Sequence, residues 1–201
     1  MESLLPFLLF AFVASITPGP TNILVLTNSS RHGISATLPI VLGACAGAAG
    51  LVLLVGTGVG DFLARHLAVQ TAMTWLGITW LSWMAWRLFS APAQAIDAAT
   101  ATVQGPSLGL FGAASLQLVN PKTWMMALAV VSVFAGSEAD RSMKVVYLSL
   151  AFFLVSIPCM SAWAWLGVSA AKFCRSPRSM QRLNRTMAVL LLVSAWLTLV
   201  V

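Results

Sequence analysis

The stretch on which the fold turns is Leu4-Leu5-Pro6-Phe7-Leu8-Leu9-Phe10-Ala11-Phe12-Val13-Ala14-Ser15-Ile16-Thr17-Pro18-Gly19-Pro20-Thr21-Asn22-Ile23-Leu24-Val25-Leu26. It is apolar almost throughout, as a helix in lipid must be, yet Pro18, Gly19 and Pro20 crowd its centre. Proline lacks the amide proton and clashes with the carbonyl four residues back. Pro18 therefore frees the carbonyl of Ala14, and Pro20 frees that of Ile16. Gly19 offers no side-chain resistance to unusual backbone angles. The stretch reads as a membrane helix broken midway. It does not read as a cleaved leader, because Glu2 is its only early charge and no small-residue cleavage site follows.

Working outward, the chain has 201 residues, 59% of them hydrophobic and 8% charged. Soluble domains are about a quarter charged, and one of this length leaves too much surface in water to hide so much apolar chain. A helix crosses a bilayer with about 20 apolar residues. The apolar runs fall at about 3–28, 36–60, 68–89, 109–135, 144–168 and 184–201. The expected fold is an all-α membrane protein of six transmembrane helices, forming a single domain over 1–201. The polar segment 90–107, rich in Ala, Pro, Gln and Thr, is a flexible linker. It separates one three-helix repeat at about 1–89 from another at about 108–201. Three is odd, so the halves insert with opposite orientation, the arrangement of inverted-repeat transporters.

The net charge of +6 lies between the apolar runs, which argues for topology rather than for nucleic acid as a partner. Arg31, Arg87, Lys172, Arg175, Arg178, Arg182 and Arg185 share one side, while Arg65, Arg141 and Lys144 share the other. Basic loops stay in the cytoplasm, so both termini are expected outside. Gly43 and Gly47 are four apart, as are Gly56 and Gly60, a spacing that lets helices approach closely in lipid. Of the tryptophans in the third helix, Trp75 and Trp86 suit the membrane interface, and Trp80 and Trp83 have no assigned role.

A second break lies at Gln117-Leu118-Val119-Asn120-Pro121-Lys122-Thr123, in the first helix of the second half. Pro121 frees the carbonyl of Gln117. In register, Thr17-Pro18-Gly19-Pro20 falls against Asn120-Pro121-Lys122-Thr123, which matches Pro18 to Pro121. Matched interruptions in two halves are the best sequence pointer to a transport site. Broken backbone at membrane depth is tolerated only where it is buried in protein or lines a wet cavity. Freed carbonyls attract ammonium groups and exposed amides attract carboxylates; a zwitterionic amino acid needs both. Lys122 lies about a dozen residues inside the fourth helix, where an ammonium costs roughly 2.5–3.5 kcal/mol, and no acidic residue lies at that depth. The blander reading is that it snorkels to the surface. The expected substrate site comprises Thr17, Pro18, Gly19, Pro20, Asn22, Gln117, Asn120, Pro121 and Lys122. The substrate carboxylate is expected at Lys122 and the amides after Pro20, and its ammonium at the carbonyls of Ala14, Ile16 and Gln117.

Other chemistries fit poorly. A membrane redox carrier would want paired cysteines, and Cys45, Cys159 and Cys174 lie far apart without a CxxC spacing. An intramembrane protease needs two aspartates, or a serine with a His or Lys partner at depth; His32 and His66 both fall between spans. A metal exporter would want a His-rich loop or membrane carboxylates. No GxxxxGK loop is present, so this chain does not itself use ATP. No enzyme activity, cofactor or metal is expected. The remaining alternative is export of a small molecule other than an amino acid.

The chain resembles the LysE/RhtB family of amino-acid exporters. The resemblance is carried by Thr17-Pro18-Gly19-Pro20, the stretch Ser29-Ser30-Arg31-His32-Gly33, the pair Gly43 and Gly47, and Asn120-Pro121-Lys122, and it covers the whole length. It implies a homodimeric exporter of neutral or basic amino acids or close metabolites in the bacterial inner membrane, driven by proton antiport. The cysteine/O-acetylserine exporter branch looks most similar, judged by Pro18 to Asn22, the Arg31-His32 loop and the arginines from Arg175 to Arg185. Many members of the family carry an aspartate near Gly47, where this chain has Ala48 and Ala49. That leaves Asp61 as the acidic candidate for proton coupling, against the simpler reading of a solvated aspartate at a helix end.

Overall fold

A computed structural model describes residues 4–90, 108–135, 141–173 and 176–196. The linker 90–107, apart from Ser90, lies outside these residues, as do Glu138, Asp140, Cys174 and Arg175. Among the described residues the secondary structure is entirely helical: α1 Leu4–Ile16, α2 Pro20–Leu54, α3 Gly60–Arg65, α4 Leu67–Phe89, α5 Leu110–Val119, α6 Pro121–Phe134, α7 Arg141–Phe173 and α8 Pro177–Trp196. A π turn, Val55–Val59, joins α2 to α3.

Both expected breaks are present. The chain leaves α1 at Ile16 and restarts at Pro20, with Gly19 extended at φ −162° and ψ 177°. It leaves α5 at Val119 and restarts at Pro121, with Asn120 extended. The matched register is corrected, however. Pro20 and Pro121 are the residues that open α2 and α6, so Pro20, and not Pro18, is the counterpart of Pro121. The first helical position suits proline, since its missing N–H would have no partner there and its fixed φ is already helical.

The helical run α2 is two helices joined across a sharp turn at Gly33, whose φ of 81° and ψ of 177° are open to glycine without penalty. The expected break after the first span, beside Arg31 and His32, is therefore present, tightened to the residues around Gly33. Thr37 Oγ1 donates to the Gly33 carbonyl at 2.8 Å and accepts from Asn28 Nδ2 at 2.8 Å, tying the two sides of the bend together. The basic segment before the last helix is also shorter than expected. α7 extends to Phe173 and α8 begins at Pro177, which places Lys172, Arg178, Arg182 and Arg185 on helices. Arginine and lysine are good helix formers, so charge alone does not end a helix.

The helical run α2, two helices that meet at Gly33, is the organising element, packed against α7 and α5, while α4 packs against α8 and α1 against α7. The closest approach is between α2 and α5. A Cβ on Gly43 would lie 2.0 Å from the Leu110 carbonyl oxygen, and one on Gly47 would lie 2.6 Å from that of Ala114. The small-residue spacing is thus a backbone-to-backbone contact. Phe7, Leu51, Val130 and Phe152 fill one core between α1, α2, α6 and α7. Val25, Ile40, Ala113 and Met160 form a second, and Ile23, Leu81, Leu191 and Ala195 a third. The outer faces are apolar too: Leu5, Phe111, Leu154 and Trp165 all point outward, Phe111 at 83% exposure. Such a surface belongs in hydrocarbon and would aggregate in water. Two helical runs, 20–59 and 141–172, are long and apolar enough to cross a bilayer.

Candidate functional site

The site is built where the two breaks meet. α6 opens with Asn120, whose Oδ1 accepts from the Lys122 backbone N–H at 3.2 Å and so caps the helix. This fixes the start of the Lys122 side chain. Its Nζ then crosses to the other break and donates to the Thr17 carbonyl at 2.6 Å. That carbonyl stands just past the C-terminal end of α1, where the helix dipole favours a cation. Gly19 makes the crossing possible, since a Cβ there would lie 2.8 Å from Lys122 Cδ and 3.0 Å from its Nζ. Lys122 therefore does not snorkel away; it joins the two breaks.

Behind this contact lies a buried polar network. Thr21 Oγ1 accepts from Asn120 Nδ2 at 2.9 Å and donates to Gln117 Oε1 at 3.3 Å. Thr123 Oγ1 donates to the same Gln117 oxygen at 2.8 Å. Asn22 Nδ2 donates to the Ser15 carbonyl at 2.9 Å, across the first break. Thr21, Asn22, Gln117, Asn120 and Thr123 are each at most 5% exposed. Buried polar groups at low dielectric are costly unless paired, and here the two breaks supply each other's partners.

The carbonyls released by the prolines meet different fates. Ile16 O accepts from Trp163 Nε1 of α7 at 3.1 Å, and Gln117 O accepts from the Asn120 backbone N–H at 3.3 Å. Both carbonyls, expected to meet a substrate ammonium, thus already accept one hydrogen bond from the chain. Ala14 lines the cavity between the breaks. So do Thr21, Asn22, Gln117, Asn120, Lys122 and Thr123, with Ser15, Cys45 and Ser156 beyond them. Ser15 Oγ is buried there without a hydrogen-bond partner. The cavity encloses about 30 Å³, room for roughly two waters and far less than an amino acid needs.

Of the expected site residues, Asn22, Gln117, Asn120 and Lys122 line this cavity, and Thr17 and Gly19 hold Lys122. Pro20 and Pro121 are buried at the two helix starts, and Pro18 is exposed in the first break. Asp61 belongs to α3, and its side chain lies outside the described residues. Sequence reading passed over Thr21 and Thr123, although both stand inside the quoted motifs. It also passed over Ser15, Ser156 and Gly77. A Cβ on Gly77 would lie 2.3 Å from the Val119 carbonyl oxygen, so α4 closes against the second break.

The family model described as LysE type translocator matches residues 12–200. The chain is 28% identical over 168 residues to a cysteine/O-acetylserine efflux protein of Salmonella paratyphi A, covering 81% of this chain and 83% of that protein. It is 28% identical over 188 residues to a homoserine/homoserine lactone efflux protein of Salmonella typhimurium, covering 93% and 91%. It is 25% identical over 181 residues to an uncharacterized membrane protein of Vibrio cholerae serotype O1, covering 90% and 88%. No solved structure matches the chain.

Proposed function

The chain belongs to the LysE family of translocators, and from that premise we propose that it exports a zwitterionic amino acid, or a close metabolite, from the cytoplasm in exchange for protons. Its family and its relatives are translocators and efflux proteins rather than enzymes. The observation that carries the proposal is the meeting of two helix breaks over one small polar cavity, with the Lys122 ammonium on the Thr17 carbonyl. One end of a zwitterion fits the carbonyls that close α1. The other fits the amides that open α2, where Gly19 supplies no side-chain cap. Asn22, Gln117 and Asn120 are the side chains proposed to bind, and Lys122 occupies the Thr17 carbonyl while the site is empty of substrate.

In this reading the helices make six crossings as two inverted halves in a bacterial inner membrane, with both termini outside, and the chain works as a homodimer. The cavity is too small for an amino acid, so the halves must rock apart to admit one. The relatives' names point to small neutral substrates such as cysteine, O-acetylserine or homoserine. The test is efflux of labelled amino acids from loaded cells, with and without the chain and with a proton uncoupler. Expression-dependent efflux of one or a few, lost on uncoupling, supports exporter and coupling together. No efflux across the panel from well-inserted protein would refute the amino-acid reading.

A further inference from the structure

We propose that the Lys122 ammonium and the substrate ammonium compete for one place, the carbonyl end of α1 at Thr17, so that Lys122 is the group that carries the counter-transported proton. The proposal rests on the antiport reading above and names the residue responsible for it.

The carbonyls at the end of α1 are not equivalent. Val13 O accepts from the backbone and hydroxyl of Thr17, at 3.0 and 2.5 Å. Ser15 O accepts from Asn22, and Ile16 O from Trp163. These donors are neutral, and Asn22 and Trp163 are anchored on packed helices. The donor at Thr17 O is different in kind: a cation at the tip of a flexible four-carbon stem. An arriving ammonium has three N–H groups to satisfy, and the partner it can displace is Lys122. Two ammonium groups cannot share one carbonyl, because like charges at that separation repel strongly wherever water is sparse.

The surroundings leave the exchange to Lys122. Around the cavity, α1 contributes no titratable side chain, α5 contributes the neutral Gln117, the start of α6 the neutral Asn120, and α2 contributes Cys45. Cys159 of α7 points at the Phe12 carbonyl, 4.0 Å away. Among the described residues lining the cavity, Lys122 alone bears a formal charge at neutral pH.

The cycle then balances. On the cytoplasmic side the substrate ammonium takes the Thr17 carbonyl, and Lys122 gives one proton to water and becomes a neutral amine. After the substrate leaves on the outer side, the amine takes one proton from outside water and returns to Thr17, the arrangement observed. One proton enters per zwitterion exported, and one positive charge moves inward with it.

The purified full chain in detergent tests this, with O-acetyl-L-serine and L-homoserine as probes. Competition predicts that wild-type affinity rises about tenfold per pH unit between about pH 5.5 and 7.5, with about one proton released per substrate bound. Lys122→Met should bind with an affinity independent of pH and release no proton. Lys122→Arg, permanently charged, should bind weakly at every pH in that range. If Lys122→Met does not fold, the wild-type slope and proton count still decide. A flat slope, or one that falls as pH rises, would mean that the ammonium holds the substrate carboxylate, and the proposal is wrong. A Lys122→Met protein that keeps the wild-type slope would leave antiport standing and remove Lys122 as its carrier. Binding of neither probe by a protein that also fails the efflux panel would overturn the transport reading itself, and this proposal with it.

Discussion

At the residue scale, the site turns on a lysine, a glycine and a threonine. Lys122→Ala removes the link between the breaks without touching an apolar contact surface that membrane insertion needs. Efflux should fall to the level of cells lacking the chain, while the amount of protein in the membrane fraction stays normal. Gly19→Ala places a methyl 2.8 Å from Lys122 Cδ. It should push the ammonium off the Thr17 carbonyl and depress efflux severalfold, with the protein still folded, because the far end of a lysine can move aside. Thr21→Val keeps the shape of the side chain and deletes the hydroxyl that Asn120 and Gln117 share. Leaving buried amides without a partner costs about 1–3 kcal/mol, readable as a lower melting temperature in detergent. These positions were unequally legible beforehand. Lys122 stood out because a charge in an apolar run is costly wherever it lies. Thr21 and Thr123 did not, since a hydroxyl in a helix usually bonds its own backbone, and only the partner helix shows that these two do otherwise.

At the element scale, the helices answer to glycine and proline. The Gly47 position presses α2 onto the Ala114 carbonyl, whereas nothing lies within 4 Å of a Cβ placed on Gly50. Gly47→Leu should therefore destabilise the bundle by at least about 1–3 kcal/mol, and Gly50→Ala should be silent, when both are compared by thermal unfolding in detergent. Gly33 poses a separate question, because space is open around it and only its φ of 81° resists a side chain. Gly33→Ala should cost about 1–2 kcal/mol through backbone strain at the turn between the two helices, readable as a lower melting temperature in detergent. The breaks at Pro18 to Pro20 and at Pro121 were visible in the sequence because proline acts through its own missing amide, a local effect. Their correct alignment was not, since it depends on which proline opens the next helix. The turn beside Arg31 and His32 was legible as a break between spans, but the positive φ of Gly33 that makes it so tight leaves no trace in composition.

At the scale of the whole molecule, the basic residues make a topological prediction. With seven lysines and arginines on one side against three on the other, a phosphatase reporter that works only outside the cytoplasm should be active when fused to the C-terminus and inactive when inserted after Arg87. The reverse pattern would invert the assigned orientation. What the sequence by itself determined is whatever rests on local chemistry: a lipid-embedded helical chain, the places where helices break, and a cation within an apolar run beside one break. Hydrophobic length and missing amides act within a few residues, so they survive without knowledge of the rest of the chain. Only the tertiary structure decided that the two breaks face each other, that Trp163 donates to the Ile16 carbonyl expected to be free, and that Lys122 reaches Thr17. Thr17 and Lys122 are 105 residues apart in the chain, and a hydrogen bond across that separation exists only because α2, clasped to α5 at Gly43 and Gly47, brings the two ends within reach.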